Sequence, residues 1–278
     1  MDGPDTFSFL QGIISQNVLA IPEKGCAGSW MLDSSGKTIA WLWICRHKTG
    51  AFILTPPGLA EDTRIHLDRY LIMEDVVLSV ADQMSCLALI GSKTDDLIAN
   101  EHLPAYQIFQ ADICSEPASF IITDTKNIGP IATTLQQQGA YPIGRQAYDE
   151  SRIEGFKAEF GVDIAAGLNP VIFGLDGLSA DKGCYIGQET VAMTRDRGRP
   201  PQLFAKISSK ATEKLARGET LSADGKPVGV LTSIQQKDGH TQAFTLLPYK
   251  LAQSNSFQDQ HNRIWTIEAT AVHRKQKQ

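Results

Sequence analysis

The texture of this chain changes near residue 201, and that change constrains the fold more than any other feature. Up to about Tyr148, helix-period and strand-period segments alternate. Residues 4–18 place Phe7, Leu10, Ile14 and Val18 at helical spacing, with Pro4 tolerated in the first turn, which predicts an opening helix with a core-facing stripe. Residues 29–54 set the strand formers Ile39, Trp41, Trp43, Phe52 and Leu54 around the turn Asp33-Ser34-Ser35-Gly36, which predicts a β-hairpin or meander. Residues 60–73 read as a second amphipathic helix, 76–80 and 86–90 as strands, and Gly129-Pro130 and Tyr141-Pro142 as turns. From Leu203 onward short strands take over, near 228–231, 242–247 and 264–272, with a turn at Ala223-Asp224-Gly225-Lys226 and a polar surface loop at 253–262. This half predicts a small β-barrel or sandwich, the Arg/Gly/Pro-rich stretch 195–201 is the boundary, and the whole is α+β.

The 278 residues are 42% apolar and 21% charged, enough to bury a substantial core in two or three lobes. A net charge of −5 argues against nucleic-acid binding over the whole surface but leaves a local basic patch open. Arg195, Arg197 and Arg199 alternate ahead of Pro200-Pro201; an extended chain there would put the three guanidinium groups on one side. They would then clamp a phosphate or carboxylate, or else form a solvated connector between lobes. Cys26, Cys45, Cys86, Cys114 and Cys184 form no Cys-x-x-Cys pair, so neither a disulfide framework nor a zinc ribbon is supported, and a reducing cytoplasm is the expected compartment. The histidines show neither His-x-x-x-His spacing nor clustering with cysteine, so no metal site is expected, and no apolar run approaches the length of a membrane span.

The densest chemistry lies in Lys182-Gly183-Cys184-Tyr185-Ile186-Gly187-Gln188-Glu189. A thiol stands there between a cation and a glycine-hinged turn, ahead of a helix that Gln188 and Glu189 would start; both the cation and that helix start favour a thiolate. The two glycines let the backbone pass close to a ligand. Tyr185 offers an aromatic face and a hydroxyl, Gln188 an amide and Glu189 a carboxylate. The competing reading makes Cys184 a small hydrophobe packed in a tight turn and Glu189 a first-turn helix carboxylate.

That octapeptide resembles the signature of the YgfZ-type folate-binding proteins, relatives of the glycine-cleavage T protein, an aminomethyltransferase. The resemblance extends to Gly3-Pro4-Asp5 with Phe9-Leu10-Gln11-Gly12, to Arg152-Ile153-Glu154-Gly155 with Glu159-Phe160-Gly161-Val162-Asp163, and to Gly225-Lys226-Pro227-Val228-Gly229-Val230-Leu231-Thr232-Ser233. It implies an α+β fold of two intertwined lobes over residues 1–200 and a C-terminal β-barrel over 201–278, arranged around a central channel. It implies tetrahydrofolate or another folate derivative as ligand. It also implies an accessory role in assembly or repair of iron–sulfur clusters, with iron–sulfur proteins or assembly factors as partners and an indirect link to tRNA through cluster-dependent modifying enzymes.

On the same resemblance Cys184, activated by Lys182, is the reactive residue and could give one ligand to a shared iron–sulfur cluster. Glu154 resembles the carboxylate that grips the pterin, a task suited to accepting two parallel hydrogen bonds from an aminopyrimidine. Arg152, Tyr185, Gly187, Gln188 and Glu189 complete the implied folate site, with Arg152 equally placed to be a salt-bridge partner. Two departures stand out. The T protein carries an acidic pair where this chain has Ala40-Trp41, and neither side chain can act as general acid or base; Asn17 stands where relatives commonly have Asp. The alternatives are a folate-dependent aminomethyl- or methyltransferase that uses another carboxylate, and a tRNA-contacting module built on Arg195, Arg197 and Arg199.

Overall fold

A computed structural model describes residues 1–99, 103, 107–197, 199–210 and 213–271. The opening helix α1 (Thr6–Ile13) buries Leu10 completely, as are Ile14 and Val18 just beyond it, each burial stabilising the fold by roughly 1.5–3 kcal/mol. It is shorter than expected, because the chain turns extended at Ile14 and Val18 falls in a separate 3-10 turn. The following meander is β1 (Cys26–Leu32), β2 (Thr38–His47) and β3 (Gly50–Leu54), antiparallel in that order. Its first turn is the expected one, and the Asp33 carboxylate closes it by accepting the backbone N–H of Ser35 and of Lys37, each at 2.9 Å.

The period of two along β2 sorts its side chains. Ala40, Leu42 and Ile44 pack against α1, whereas Trp41, Trp43 and Cys45 lie on the opposite face. Register places Trp30, Gly28 and Cys26 of β1 directly across from Trp41, Trp43 and Cys45. The second helix, α2 (Ala60–Asp68), stops one turn early, and the expected strand over 76–80 is an irregular segment with a single bridge between Asp2 and Val77. A second antiparallel sheet, order β4-β6-β5, is built from β4 (Met84–Ile90), β5 (Gln107–Ala111) and β6 (Ala118–Asp124), with α3 (Thr94–Ala99) between β4 and β5. It packs on the first sheet through Trp43 against Phe120 and Phe52 against Phe109, with ring centroids 5.6 and 6.3 Å apart.

After α4 (Ile128–Gln137), α5 (Arg145–Glu154) and α6 (Gln188–Arg197) come the strands β7 (Gln202–Ser209), β8 (Thr220–Ala223), β9 (Lys226–Val230), β10 (Ile234–Lys237) and β11 (His240–Pro248). The short helix α7 (Tyr249–Ala252), β12 (Ser256–Gln258) and β13 (Ile264–Thr270) complete the elements. Strands β10-β11-β7-β13-β12 form one antiparallel sheet and β8-β9 a separate hairpin. Leu203, Ala205 and Ile207 of β7 pack under the hairpin and α7, and Phe204 faces the other way. Residues 195–197 are the last turn of α6, not an extended strip, so alternate arginines there do not share a side; Gly198 and the Arg197 side chain lie outside the described residues, as does Val272 at the end of the last expected strand. Among the described residues no helix is long and apolar enough to cross a membrane.

Candidate functional site

A cavity of about 460 Å³ opens where the outer face of β1–β2 meets the β5–β6 connection, α5 with its following loop, and the start of β7. Its back wall is aromatic. Trp30 and Trp41 meet edge to face with centroids 4.7 Å apart, Trp41 and Trp43 likewise at 5.8 Å, and Phe173 links Trp30 to Phe204. Trp41 sits in a socket that only glycine can provide: a Cβ on Gly28 would lie 2.1 Å from its ring, and one on Gly177, which has φ +70°, would lie 2.7 Å away. The indole N–H of Trp30 donates to the Asp176 carbonyl at 2.8 Å, and the Ser15 hydroxyl donates to the Gly177 carbonyl at 2.5 Å. These bonds pin the 176–177 turn to the wall.

Arg152 also borders the cavity, yet it is only 1% exposed and its guanidinium is fully engaged. It donates to Asp163 at 2.6 Å, Asp149 at 2.7 Å, the Ser233 hydroxyl at 2.6 Å and the Lys157 carbonyl at 3.0 Å. Thr232 and Ser233 donate in turn to the other oxygen of Asp163. Burial alone would lower the Arg152 pKa, but Asp163, Asp149 and Glu159 outweigh it and hold the value above its ordinary range. The segments 152–155, 159–163 and 225–233 thus converge on one buried charge cluster that joins α5 to the C-terminal sheet. Arg152 is a positioning residue of the cavity rather than a free ligand contact.

Glu154 is exposed at the C-terminal end of α5 and is not among the residues lining the cavity. The helix period explains this, since two residues on from Arg152 the side chain has turned about 200° around the axis. The acidic residues that do line the cavity are Asp112, Glu159 and Asp176, of which Asp112 and Asp176 are, like Glu154, exposed. Arg145 holds Glu159 with contacts at 3.0 and 2.5 Å, and Lys157 pairs with Asp112, whereas the Asp176 carboxylate has no hydrogen bond or ion pair with any described residue.

The signature loop stands apart from the cavity lining. Lys182 is buried, its ammonium donates to the carbonyl of Ile14 and, at 3.0 Å, to that of Gln16, and it lies 5.0 Å from the centre of the Tyr185 ring. Burial lowers its pKa to about 8. Among the described residues Lys182 makes no hydrogen bond or ion pair with Cys184; its ammonium ties the loop to the end of α1. Tyr185 is buried against Trp30, Leu32, Val171 and Val191, so its ring is core, and burial pushes its phenol up to about 12. Gly187, at φ +78°, rests on Gly36, and a Cβ there would stand 2.5 Å from the Asp33 carbonyl. Gln188 is half-buried, and Glu189 and Cys184 are exposed. The pattern Trp41-x-Trp43 on a predicted strand was the sequence signal for the aromatic wall; nothing local marked Asp176. Among the described residues, no group of three or more His, Cys, Asp or Glu is arranged to hold a metal ion.

No family model matches the chain. It is similar to the tRNA-modifying protein YgfZ of Aliivibrio fischeri, 22% identical over 95% of this chain and 86% of that one, and of Photobacterium profundum, 25% identical over 95% and 85%. A putative chloroplastic transferase of Arabidopsis thaliana is 26% identical over 84% of this chain and 58% of its own. The fold is that of the glycine cleavage system aminomethyltransferase T from Bartonella henselae, with a TM-score of 0.80 at 17% identity, covering 96% of this chain and 80% of that one. Recognisable sequence resemblance to YgfZ-type proteins and an aminomethyltransferase fold therefore coincide over nearly the whole chain.

Proposed function

We propose that this protein is a folate-binding accessory factor in tRNA modification, acting in the cytoplasm through the assembly or repair of iron–sulfur clusters. The observation that carries the reading is the aromatic-walled cavity. A flat pterin matches a pocket whose back is formed by Trp30, Trp41 and Trp43, where stacking and apolar burial supply affinity and a few polar groups fix orientation. We assign the aminopyrimidine contact to Asp176 rather than Glu154, because Asp176 lines the cavity with its carboxylate uncommitted among the described residues. Residues 1–200 would supply this site and 201–278 would brace it through Phe204 and Ser233. Trp41, standing where the T protein has an acid, leaves no carboxylate on that strand position, which supports an accessory role over aminomethyl transfer.

Cys184 is the residue we assign to a partner or to a cluster in transit, since it is exposed on a loop fastened from below by Lys182 and Gly187. Titration with tetrahydrofolate, followed by tryptophan fluorescence, tests the ligand. Saturable quenching is expected, with Asp176→Ala weakening affinity roughly 5- to 150-fold through loss of a paired polar contact. Absence of binding would end the folate reading. Turnover of tetrahydrofolate with a one-carbon donor would favour the transferase reading instead.

A further inference from the structure

At the lower end of the β1–β2 ladder, on the same face as the three tryptophans, Cys26 and Cys45 stand directly opposite one another, with sulfur atoms 2.8 Å apart. The ladder bond from the Arg46 N–H to the Gly25 carbonyl, at 2.8 Å, makes the neighbouring pair the hydrogen-bonded one. Cys26 and Cys45 therefore occupy the closer, non-hydrogen-bonded kind of pair, whose Cα separation of about 4.5 Å falls within the ~4.4–6.8 Å that a disulfide spans. Because paired residues project to the same face, both sulfurs reach each other without moving the strands. Their environments differ. Cys26 borders both the central cavity and a second, more open cleft beside Asn17 and Pro22, whereas Cys45 is completely buried. Contact with Cys26 and then burial push the Cys45 thiol far up.

We propose that Cys26 and Cys45 are an oxidation site at which a hydroperoxide entering from the cavity closes a cross-strand disulfide. The Cys26 sulfur attacks one peroxide oxygen, the O–O bond breaks, and the thiol proton leaves with the departing oxygen as water, or as an alcohol from an organic peroxide. The Cys45 sulfur then attacks the sulfenic sulfur of Cys26, the S–O bond breaks, and the hydroxyl leaves with the Cys45 proton as a second molecule of water. Two thiols lose two electrons and the peroxide gains them. The product staples the two strands that carry Trp30, Trp41 and Trp43 and removes a thiol from the cavity wall. Among the described residues the sulfur–sulfur contact is that of Cys26 with Cys45; Cys86 lies near enough to interact electrostatically with both, and Cys184 has no thiol in contact.

Tryptic cleavage after Lys24, Lys37 and Arg46 puts the two cysteines on separate peptides, 25–37 and 38–46. The test is to treat the full chain with hydrogen peroxide, block the remaining thiols, and digest without reductant. The expected result is a linked pair of these peptides, lighter than their sum by two hydrogen atoms, released by a reducing agent and retained in Cys184→Ser. Cys26→Ala and Cys45→Ala should each abolish the link, and since both replace a thiol by a small apolar group, either one suffices as the control. Recovery of Cys26 fully alkylated, over-oxidised without the link, or joined to Cys86 would overturn the proposal.

Discussion

Arg152 and Lys182 are both buried cations, and the surroundings treat them in opposite ways. Arg152 is ringed by Asp149, Asp163 and Glu159, which raise its pKa although burial opposes them. Among the described residues Lys182 meets backbone carbonyls and the face of Tyr185, and burial lowers its pKa to about 8. A planar guanidinium satisfied by several acceptors is a fixed joint, here between α5 and the C-terminal sheet, and its charge does not respond to pH in the working range. A desolvated ammonium at the end of a helix is a fastening whose charge is adjustable near neutrality. The cavity is thus built on the rigid joint, and the exposed thiol is carried on the adjustable one.

The largest expected effect comes from breaking the rigid joint. Arg152→Met should cost about 3–5 kcal/mol, because the Asp163 side chain, which is 0% exposed, loses its counter-ion. Chemical denaturation measures it; a loss below 1 kcal/mol would mean that Thr232, Ser233 and the Glu159 backbone N–H suffice to hold Asp163. Next is the seat of the loop. Gly187→Ala should cost about 1–3 kcal/mol, since a side chain there meets both a left-handed backbone and the Asp33 carbonyl.

The adjustable fastening gives a smaller effect with a characteristic pH dependence. Lys182→Met should cost under about 2 kcal/mol at pH 7, the carbonyls of Ile14 and Gln16 losing their donor while a charge no longer has to be buried. Below pH 8 Lys182 is charged in both folded and unfolded chains and its burial penalty is fully present. Between about pH 8 and the ordinary lysine value of 10.5 the folded chain sheds the proton first, so the unfolded chain binds more protons and folding stability rises with pH. The wild-type protein should therefore gain stability relative to Lys182→Met across that window, and parallel pH profiles would contradict the assignment. The smallest effect is at the thiol itself: Cys184→Ala should leave stability within about 0.5 kcal/mol while abolishing support of tRNA modification in cells that lack the native protein. A destabilised variant that retains cellular function would make Cys184 a packing residue.

What the sequence disclosed follows from the range of each interaction. The opening helix, the Asp33–Gly36 turn, the alternating face of β2 and the strand-rich C-terminal half are set by neighbours within a few residues, and they were readable. Residues 76–80 have the composition of a strand, but they bridge only Asp2 and stay irregular. Arginines 195 and 197 looked extended because Pro200 and Pro201 follow, whereas α6 runs on through that stretch before the prolines. The role of Arg152 depends on Ser233, 81 residues away, and the pairing of Cys26 with Cys45 depends on hairpin register. The nearest-neighbour reading of Lys182 as the activator of Cys184 gave way to contacts with Ile14 and Gln16, more than 160 residues earlier. Glu154 is displaced by a local effect instead: the helix period turns Arg152 of α5 toward the cavity and Glu154 away from it, and the contact that the resemblance implied for Glu154 is proposed for Asp176.

Under the proposed function, the tryptophan-walled cavity and not the signature loop seats the folate. Calorimetric titration of tetrahydrofolate into Trp41→Leu, alongside the wild-type protein and Cys184→Ala, separates the two seats. The expected result is affinity reduced at least tenfold in Trp41→Leu, consistent with loss of about 1.4 kcal/mol or more of ring contact, and unchanged in Cys184→Ala. Wild-type affinity in a folded Trp41→Leu protein, together with weakened binding in Cys184→Ala, would contradict it.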